Sequence, residues 1–124
     1  MASVLQLHLK YRLWIAEMNA DINALRIFND YLNLLKEANN NKQTEKQLET
    51  YEKCFAELRT ELDNLRHEMH IIKMKLATFL KEKQTDVDAA KAAIGHAQCK
   101  EHYKAFREKF DTVKKEFKQL EIAE

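Results

Sequence analysis

Apolar residues recur every three or four positions along most of the chain, which is the spacing of a helix with one buried face. The pattern is most regular in the middle, where it passes through Leu48, Tyr51, Phe55, Leu58, Leu62, Leu65, Met69, Ile72, Leu76 and Phe79. A sustained repeat of this kind winds helices into a left-handed supercoil. The middle of the chain is therefore predicted to be a coiled-coil helix.

Two interruptions divide the pattern. The first is a run of asparagines at 39–41, whose short side chains compete for backbone hydrogen bonds. Thr44 and Gln47 follow it with the spacing of a capping box, which predicts a helix start. The second interruption lies at residues 83–85, where Thr85 is the predicted N-cap of the next helix.

These boundaries predict three long helices joined by short turns. We expect them at about residues 3–38, 44–83 and 86–121. Short connections between long helices favour an elongated antiparallel three-helix bundle with coiled-coil packing. At this length the chain is expected to form a single domain over residues 1–124.

Composition supports the all-α prediction, because the 124 residues include one glycine and no proline. A β or α/β fold of this length would have almost no residues suited to its turns. The glycine, Gly95, falls inside the third predicted helix and not in either predicted turn.

The first predicted helix carries two apolar stripes. The inner one includes Leu7, Trp14 and Met18 and is expected to face the bundle. The second lies close to 180° away from it and is called the outer stripe here. The outer stripe consists of Leu9, Leu13, Ala16, Ala20, Ile27, Tyr31 and Leu34.

Both stripes cannot face the inside of one three-helix bundle. Either the first helix lies unusually deep or the other helices shift to cover the outer stripe, or the stripe is an association surface. The cost of a long exposed apolar stripe favours the association surface. Ala16 and Ala20 would let a partner helix approach closely. The simplest partner is a second copy related by a two-fold axis, so a homodimer is predicted.

Asp21 occupies a core-facing position of the first helix, where a carboxylate is costly unless it is paired. We expect it to bond to an amide or to pair with an arginine such as Arg59; a functional acid with a shifted pKa is the alternative. On the third helix, Lys104, Arg107 and other basic residues alternate with acidic ones, which is typical of a solvated face.

In the predicted bundle, all five histidines and Cys99 fall near one end. Imidazole and thiolate are ligands for zinc, copper or iron. His67 and His70, however, fall on outer positions of the second helix, so a polar core layer around His96 or scattered surface histidines are the competing interpretations. No metal cofactor is predicted. The weak metal candidates are His8, His70, His96, Cys99 and His102.

The residue composition and the absence of certain sequence motifs argue against several functions. No phosphate-binding glycine motif occurs, Ser3 is the one serine, and a helix interior offers no oxyanion hole, so no enzyme activity is predicted. The balance of 21 basic and 20 acidic residues argues against nucleic-acid binding. No apolar run is long enough for membrane insertion. Without an export signal, and with two isolated cysteines, a cytoplasmic location is expected.

The sequence therefore predicts a self-associating helical interaction or scaffold module whose partner is itself. Two alternatives remain. An adaptor or chaperone-like protein could capture another protein's helix on the outer stripe. A metal-binding or sensory bundle could use the layer of histidines and Cys99.

Overall fold

The computed structural model describes residues 3–82 and 86–120 and contains four helices in that part of the chain. They are α1 (Val4–Ala38), α2 (Lys42–Glu82), α3 (Asp86–Ala92) and α4 (His96–Lys118). No strand occurs among the described residues. The prediction of an all-α protein is confirmed, and the three long helices pack together as a bundle.

The start of α1 is fixed by a capping box that the prediction did not include. The hydroxyl of Ser3 accepts a hydrogen bond from the Gln6 backbone N–H at 3.0 Å, and the Gln6 side chain accepts one from the Ser3 N–H at 3.1 Å. Two N–H groups that the first helical turn leaves without partners are thereby satisfied.

The turn between α1 and α2 is built by the asparagines. Asn39 Oδ1 accepts from the Asn41 N–H at 3.1 Å, and Asn41 Oδ1 accepts from the Gln43 N–H at 2.9 Å. Asn41 thus caps the new helix, and α2 begins at Lys42, two residues before the start that Thr44 predicts. The predicted cap at Thr85 lies outside the described residues.

The third predicted helix is divided, so the prediction of one helix over residues 86–121 is wrong. Gly95 has a φ of 89°, in the left-handed region, and stands immediately before α4. The Ile94 N–H bonds to Lys91 O and the His96 N–H bonds to Ala93 O, which closes a tight turn. Glycine adopts this conformation without the steric cost that a Cβ imposes, which is why the chain turns here.

Side-chain pairs show how α1 and α4 run. Trp14 packs against Tyr103 with ring centroids 5.0 Å apart, and Phe28 packs against Phe117 at 5.2 Å. Residue numbers rise together along both helices, so α1 and α4 are parallel.

The α2 helix runs in the opposite direction to α4. Lys109 Nζ lies 3.1 Å from Glu61 Oε2, and His102 Nδ1 lies 3.6 Å from Glu68 Oε2. As residue numbers rise on one helix they fall on the other, which gives an up-down-up order.

The core lies along the axis between α1, α2 and α4. At the end near the first turn it is aromatic: Phe55 meets Phe117 with centroids 4.9 Å apart, and Tyr51 and Phe28 pack around them. At the other end α3 contributes the small buried residue Ala92.

Candidate interaction surface

The outer stripe lies on the solvent side of α1. Its five large side chains, and that of Leu5 one turn earlier, are between 51% and 66% exposed, and Ala16 and Ala20 are exposed as well. The described helices do not cover the stripe, so the interpretation that they shift over it is wrong for the single chain.

The exposure follows from the opposite face of α1. Tyr11, Met18 and Leu25 are almost completely buried against α2 and α4, which both pack on that side. At 100° per residue the outer stripe is rotated about half a turn away. One outer-stripe residue, Tyr31, touches the bundle: its ring meets Phe117 edge-on at 5.9 Å.

Leu5 belongs to this surface although the sequence analysis did not include it. It precedes Leu9 by four residues, which is the signal that would have added it. With Leu5, the apolar surface extends from residue 5 to residue 34, a rise of about 44 Å at 1.5 Å per residue.

Asp21 is buried on the inner side of α1 and pairs with Arg107. The guanidinium donates to both carboxylate oxygens, at 2.6 and 3.1 Å. The expectation of an arginine partner is confirmed, but the arginine named as an example, Arg59, bonds instead to Asp63 on its own helix. The prediction that Arg107 belongs to a solvated face was wrong, because its side chain is 20% exposed.

Glu17 and Tyr103 complete the polar cluster around Arg107. The Tyr103 hydroxyl donates to Glu17 Oε2 at 2.5 Å, and Arg107 Nε lies 3.0 Å from Glu17 Oε1, an ion-pair distance without hydrogen-bond geometry. Burial would lower the pKa of Arg107, but its hydrogen bonds with Asp21 and Tyr103 raise that pKa overall. The cluster therefore links α1 to α4 through ion pairs and hydrogen bonds.

His96 forms part of an aromatic layer with Tyr11 and Trp14, toward the end of the bundle that is far from the α1–α2 turn. Its Nδ1 lies 2.8 Å from the Tyr11 hydroxyl, and its ring stacks on Trp14 with centroids 6.3 Å apart. Burial, together with the charges of Lys10 and Lys100, lowers the pKa of His96. The imidazole tautomer decides which of the two groups donates this hydrogen bond.

Cys99 is fully buried beside Tyr11. Burial raises the pKa of its thiol to about 11, and the charge of Glu68 adds to this effect. A thiol that holds its proton so firmly is a poor nucleophile and a poor metal ligand at neutral pH.

The remaining candidate ligands do not converge. His102 faces Glu68 across the α2–α4 interface, and burial with the nearby charges of Lys73 and Arg66 lowers the pKa of His70. Among the described side chains of residues 3–82 and 89–120, no three His, Cys, Asp or Glu side chains come close enough to hold a metal ion. The histidines and Cys99 in this part of the chain thus make separate contacts and do not form one shared site.

A second apolar feature lies beside the break at Gly95. Ile71, Met74 and Ile94 are exposed and border an open groove of about 770 Å³ between α2 and α3. Sequence reasoning missed it, although Ile71 and Met74 lie off the buried seam of α2. The groove exists because the chain turns at residue 95 and leaves Ile94 outside the core.

Comparison with protein-family models, with curated proteins and with solved structures gives no match for this chain. Within the part of the chain that the structure describes, no helix is both long and apolar enough to span a membrane.

Proposed function

We propose that the protein is a non-enzymatic helical interaction module that forms a homodimer through the outer stripe of α1. One observation carries the proposal: six large apolar side chains lie in line on one solvent-facing side of a helix. Monomeric proteins seldom leave a continuous apolar surface of this length in water, because covering it lowers the free energy.

The size of the surface fits a stable dimer. Half to two-thirds of each of the six large side chains is exposed. With the intervening alanines, they present on the order of 700 Å² per copy, close to the ~800 Å² per partner of a standard stable interface. A homodimer buries this surface twice with one set of residues, as two-fold interfaces do.

The proposal includes coiled-coil packing within each copy and a cytoplasmic location. The buried residues of α2 from Phe55 to Leu76 keep the alternating three- and four-residue spacing of heptads. Both cysteines are free thiols in the structure, which suits a reducing compartment.

The test is the mass of the full chain in solution, measured by sedimentation equilibrium over a concentration series. We expect a species of twice the 14.7 kDa chain mass at micromolar concentration. The double variant Leu13→Glu/Ile27→Glu should sediment as a monomer, because the dimer would bury its carboxylates without partners. Circular dichroism should show unchanged helix content.

A matched control uses equally exposed apolar residues away from α1. Met74 and Ile94 are 66% and 63% exposed, so Met74→Glu/Ile94→Glu adds the same charge and should leave the dimer intact. A monomeric parent chain would overturn the proposal and favour the adaptor that captures another protein's helix. A dimer broken by the control and retained by the α1 variant would place the interface at the groove instead.

A further inference from the structure

We propose that two copies associate with their α1 helices antiparallel, about a two-fold axis that passes beside Ala20. This inference rests on the proposed dimer and adds its orientation and register. In this arrangement residue x of one copy lies level with residue 40 − x of the other. The outer stripe of each copy is then covered by the outer stripe of the other copy.

The apolar residues of the outer stripe are self-complementary in this register. Leu9 lies level with Tyr31 of the second copy, and Leu13 with its Ile27, so large side chains meet at both ends. Ala20 lies level with itself, and the exposed Ala16 lies one helical turn away, so small residues occupy the centre of the outer stripe. Small residues at the centre let two helix backbones approach closely where they cross.

Charge supplies an independent argument. Arg12 and Asp30 are 18 residues apart, which is five helical turns, so they project from the same edge of the outer stripe. Both side chains are exposed, and neither forms a hydrogen bond or ion pair with the described side chains of residues 3–82 and 89–120. These two charges of opposite sign are therefore available to a partner.

The antiparallel arrangement brings these charges together. A two-fold axis perpendicular to the helices sets each edge of α1 against the same edge in the second copy. Arg12 then lies two residues, or about 3 Å along the axis, from Asp30 of the other copy. Symmetry forms this pair twice in each dimer. In a parallel dimer the two-fold axis runs along the helices and places the same edge of the two copies on opposite sides of the interface, so Arg12 and Asp30 would not meet.

The position of the axis follows from the length of the apolar surface. With the axis at Ala16, four residues earlier, Tyr31 and Leu34 would extend past the start of the partner's α1 at Val4. With the axis at Ala20, all six large exposed side chains of α1 face the partner helix. The apolar surface and the charges thus select the same register.

Cysteine cross-linking of the full chain tests the orientation. Under mild oxidation, Leu13→Cys alone and Ile27→Cys alone should not cross-link, because equivalent residues lie about 21 Å apart along the axis. An equimolar mixture of the two variants, equilibrated to exchange chains, should form the mixed disulfide. Ala20→Cys should cross-link to itself, and the parent chain, with Cys54 and Cys99 in place, gives the background.

The outcomes separate this inference from the proposed dimer. A parent chain that sediments as a monomer overturns both. A dimeric parent in which Leu13→Cys cross-links efficiently to itself retains the dimer and overturns the antiparallel orientation. A dimeric parent in which the mixture forms no disulfide above background, with the variants still dimeric, overturns the register.

A charge exchange gives a second readout that needs no cysteine. Arg12→Asp and Asp30→Arg should each weaken self-association roughly tenfold, because each variant places like charges together twice per dimer. The double variant Arg12→Asp/Asp30→Arg should recover the parent affinity. The same exchange at Arg59 and Asp63, an exposed pair within α2, should leave the affinity unchanged. Failure of the double variant to recover would contradict the Arg12–Asp30 pairing.

Discussion

Arg107 on α4 holds the carboxylate of Asp21 on α1 with both terminal nitrogens of its guanidinium, at 2.6 and 3.1 Å. The Asp21 side chain is 8% exposed, so its negative charge depends on this partner. The two helices carry complementary charges at the same level of the bundle, which fixes their relative position along the axis.

Arg107→Met should therefore lower the free energy of unfolding by about 3 kcal/mol, because it leaves the Asp21 carboxylate buried without a counter-charge. Chemical denaturation followed by circular dichroism measures this change. The control is Arg59→Met, which breaks the exposed Arg59–Asp63 pair and should cost less than about 0.5 kcal/mol.

The double variant Asp21→Leu/Arg107→Met replaces the pair with apolar side chains. We expect it to recover most of the lost stability, to within about 1 kcal/mol of the parent chain, since a buried ion pair and a packed apolar pair differ little in net free energy. Equal losses for Arg107→Met and Arg59→Met would contradict the assignment of Arg107 as a buried partner.

The choice of partner for Asp21 illustrates the limit of sequence reasoning. Heptad spacing correctly indicated that Asp21 faces the core and needs a partner such as an arginine. That spacing does not say which neighbouring helix supplies the positive charge. Arg59 has Asp63 one helical turn away, whereas the long side chain of Arg107 reaches Asp21 from α4.

The helical class was predictable from the scarcity of glycine and proline, but the break at Gly95 was not. The apolar spacing continues through Cys99 to Ala92, so the pattern carries no sign of a backbone turn between them. Whether one glycine continues a helix or ends it depends on the local hydrogen bonds, which spacing does not contain. The outer stripe, in contrast, was predictable, because its exposure requires only that α2 and α4 lie on the other face.

Gly95→Ala tests the break through the sign of its effect. Residue 95 has a φ of 89°, so alanine at this position should lower the free energy of unfolding by about 1 to 2 kcal/mol through backbone strain. Crowding adds nothing to this cost, because the new Cβ would meet only Ile72 Cδ1, at an ordinary distance of 3.8 Å. Gly95→Asn should cost less, because asparagine tolerates this conformation. If α3 and α4 formed one continuous helix, Gly95→Ala would instead stabilise the protein by about 1 kcal/mol. Denaturant unfolding of the two variants distinguishes these cases.

Stability should fall as the pH decreases through the titration range of histidine. The folded state lowers the pKa of His96, mainly by burial, so the unfolded chain binds this proton more readily. The contribution is fully present above the unfolded pKa of about 6.5 and is lost as the pH falls from there toward the folded pKa. His70 adds an effect of the same sign.

The measurement is the free energy of unfolding at about pH 7.5 and about pH 5.5, on either side of the ordinary histidine pKa. His96→Gln keeps a hydrogen-bonding side chain and should show a smaller decrease between the two. Tyr11→Phe removes the hydrogen-bond partner of His96 and should cost about 1 kcal/mol at the higher pH. A parent chain that lost no more stability on acidification than His96→Gln does would contradict this assignment.

The two thiols should differ strongly in reactivity. Burial raises the pKa of both, to about 11 for Cys99, but Cys99 is fully buried whereas Cys54 is partly exposed. Because alkylation requires an accessible thiolate, iodoacetamide at about pH 8 should modify Cys54 well before Cys99. Peptide mass spectrometry over time measures both rates. In denaturant the rates should become similar, and Cys54→Ser should remove the fast reaction. Modification of Cys99 as fast as Cys54 in the folded protein would mean that the layer around Tyr11 and His96 opens readily, since the reagent can reach Cys99 only when that packing separates.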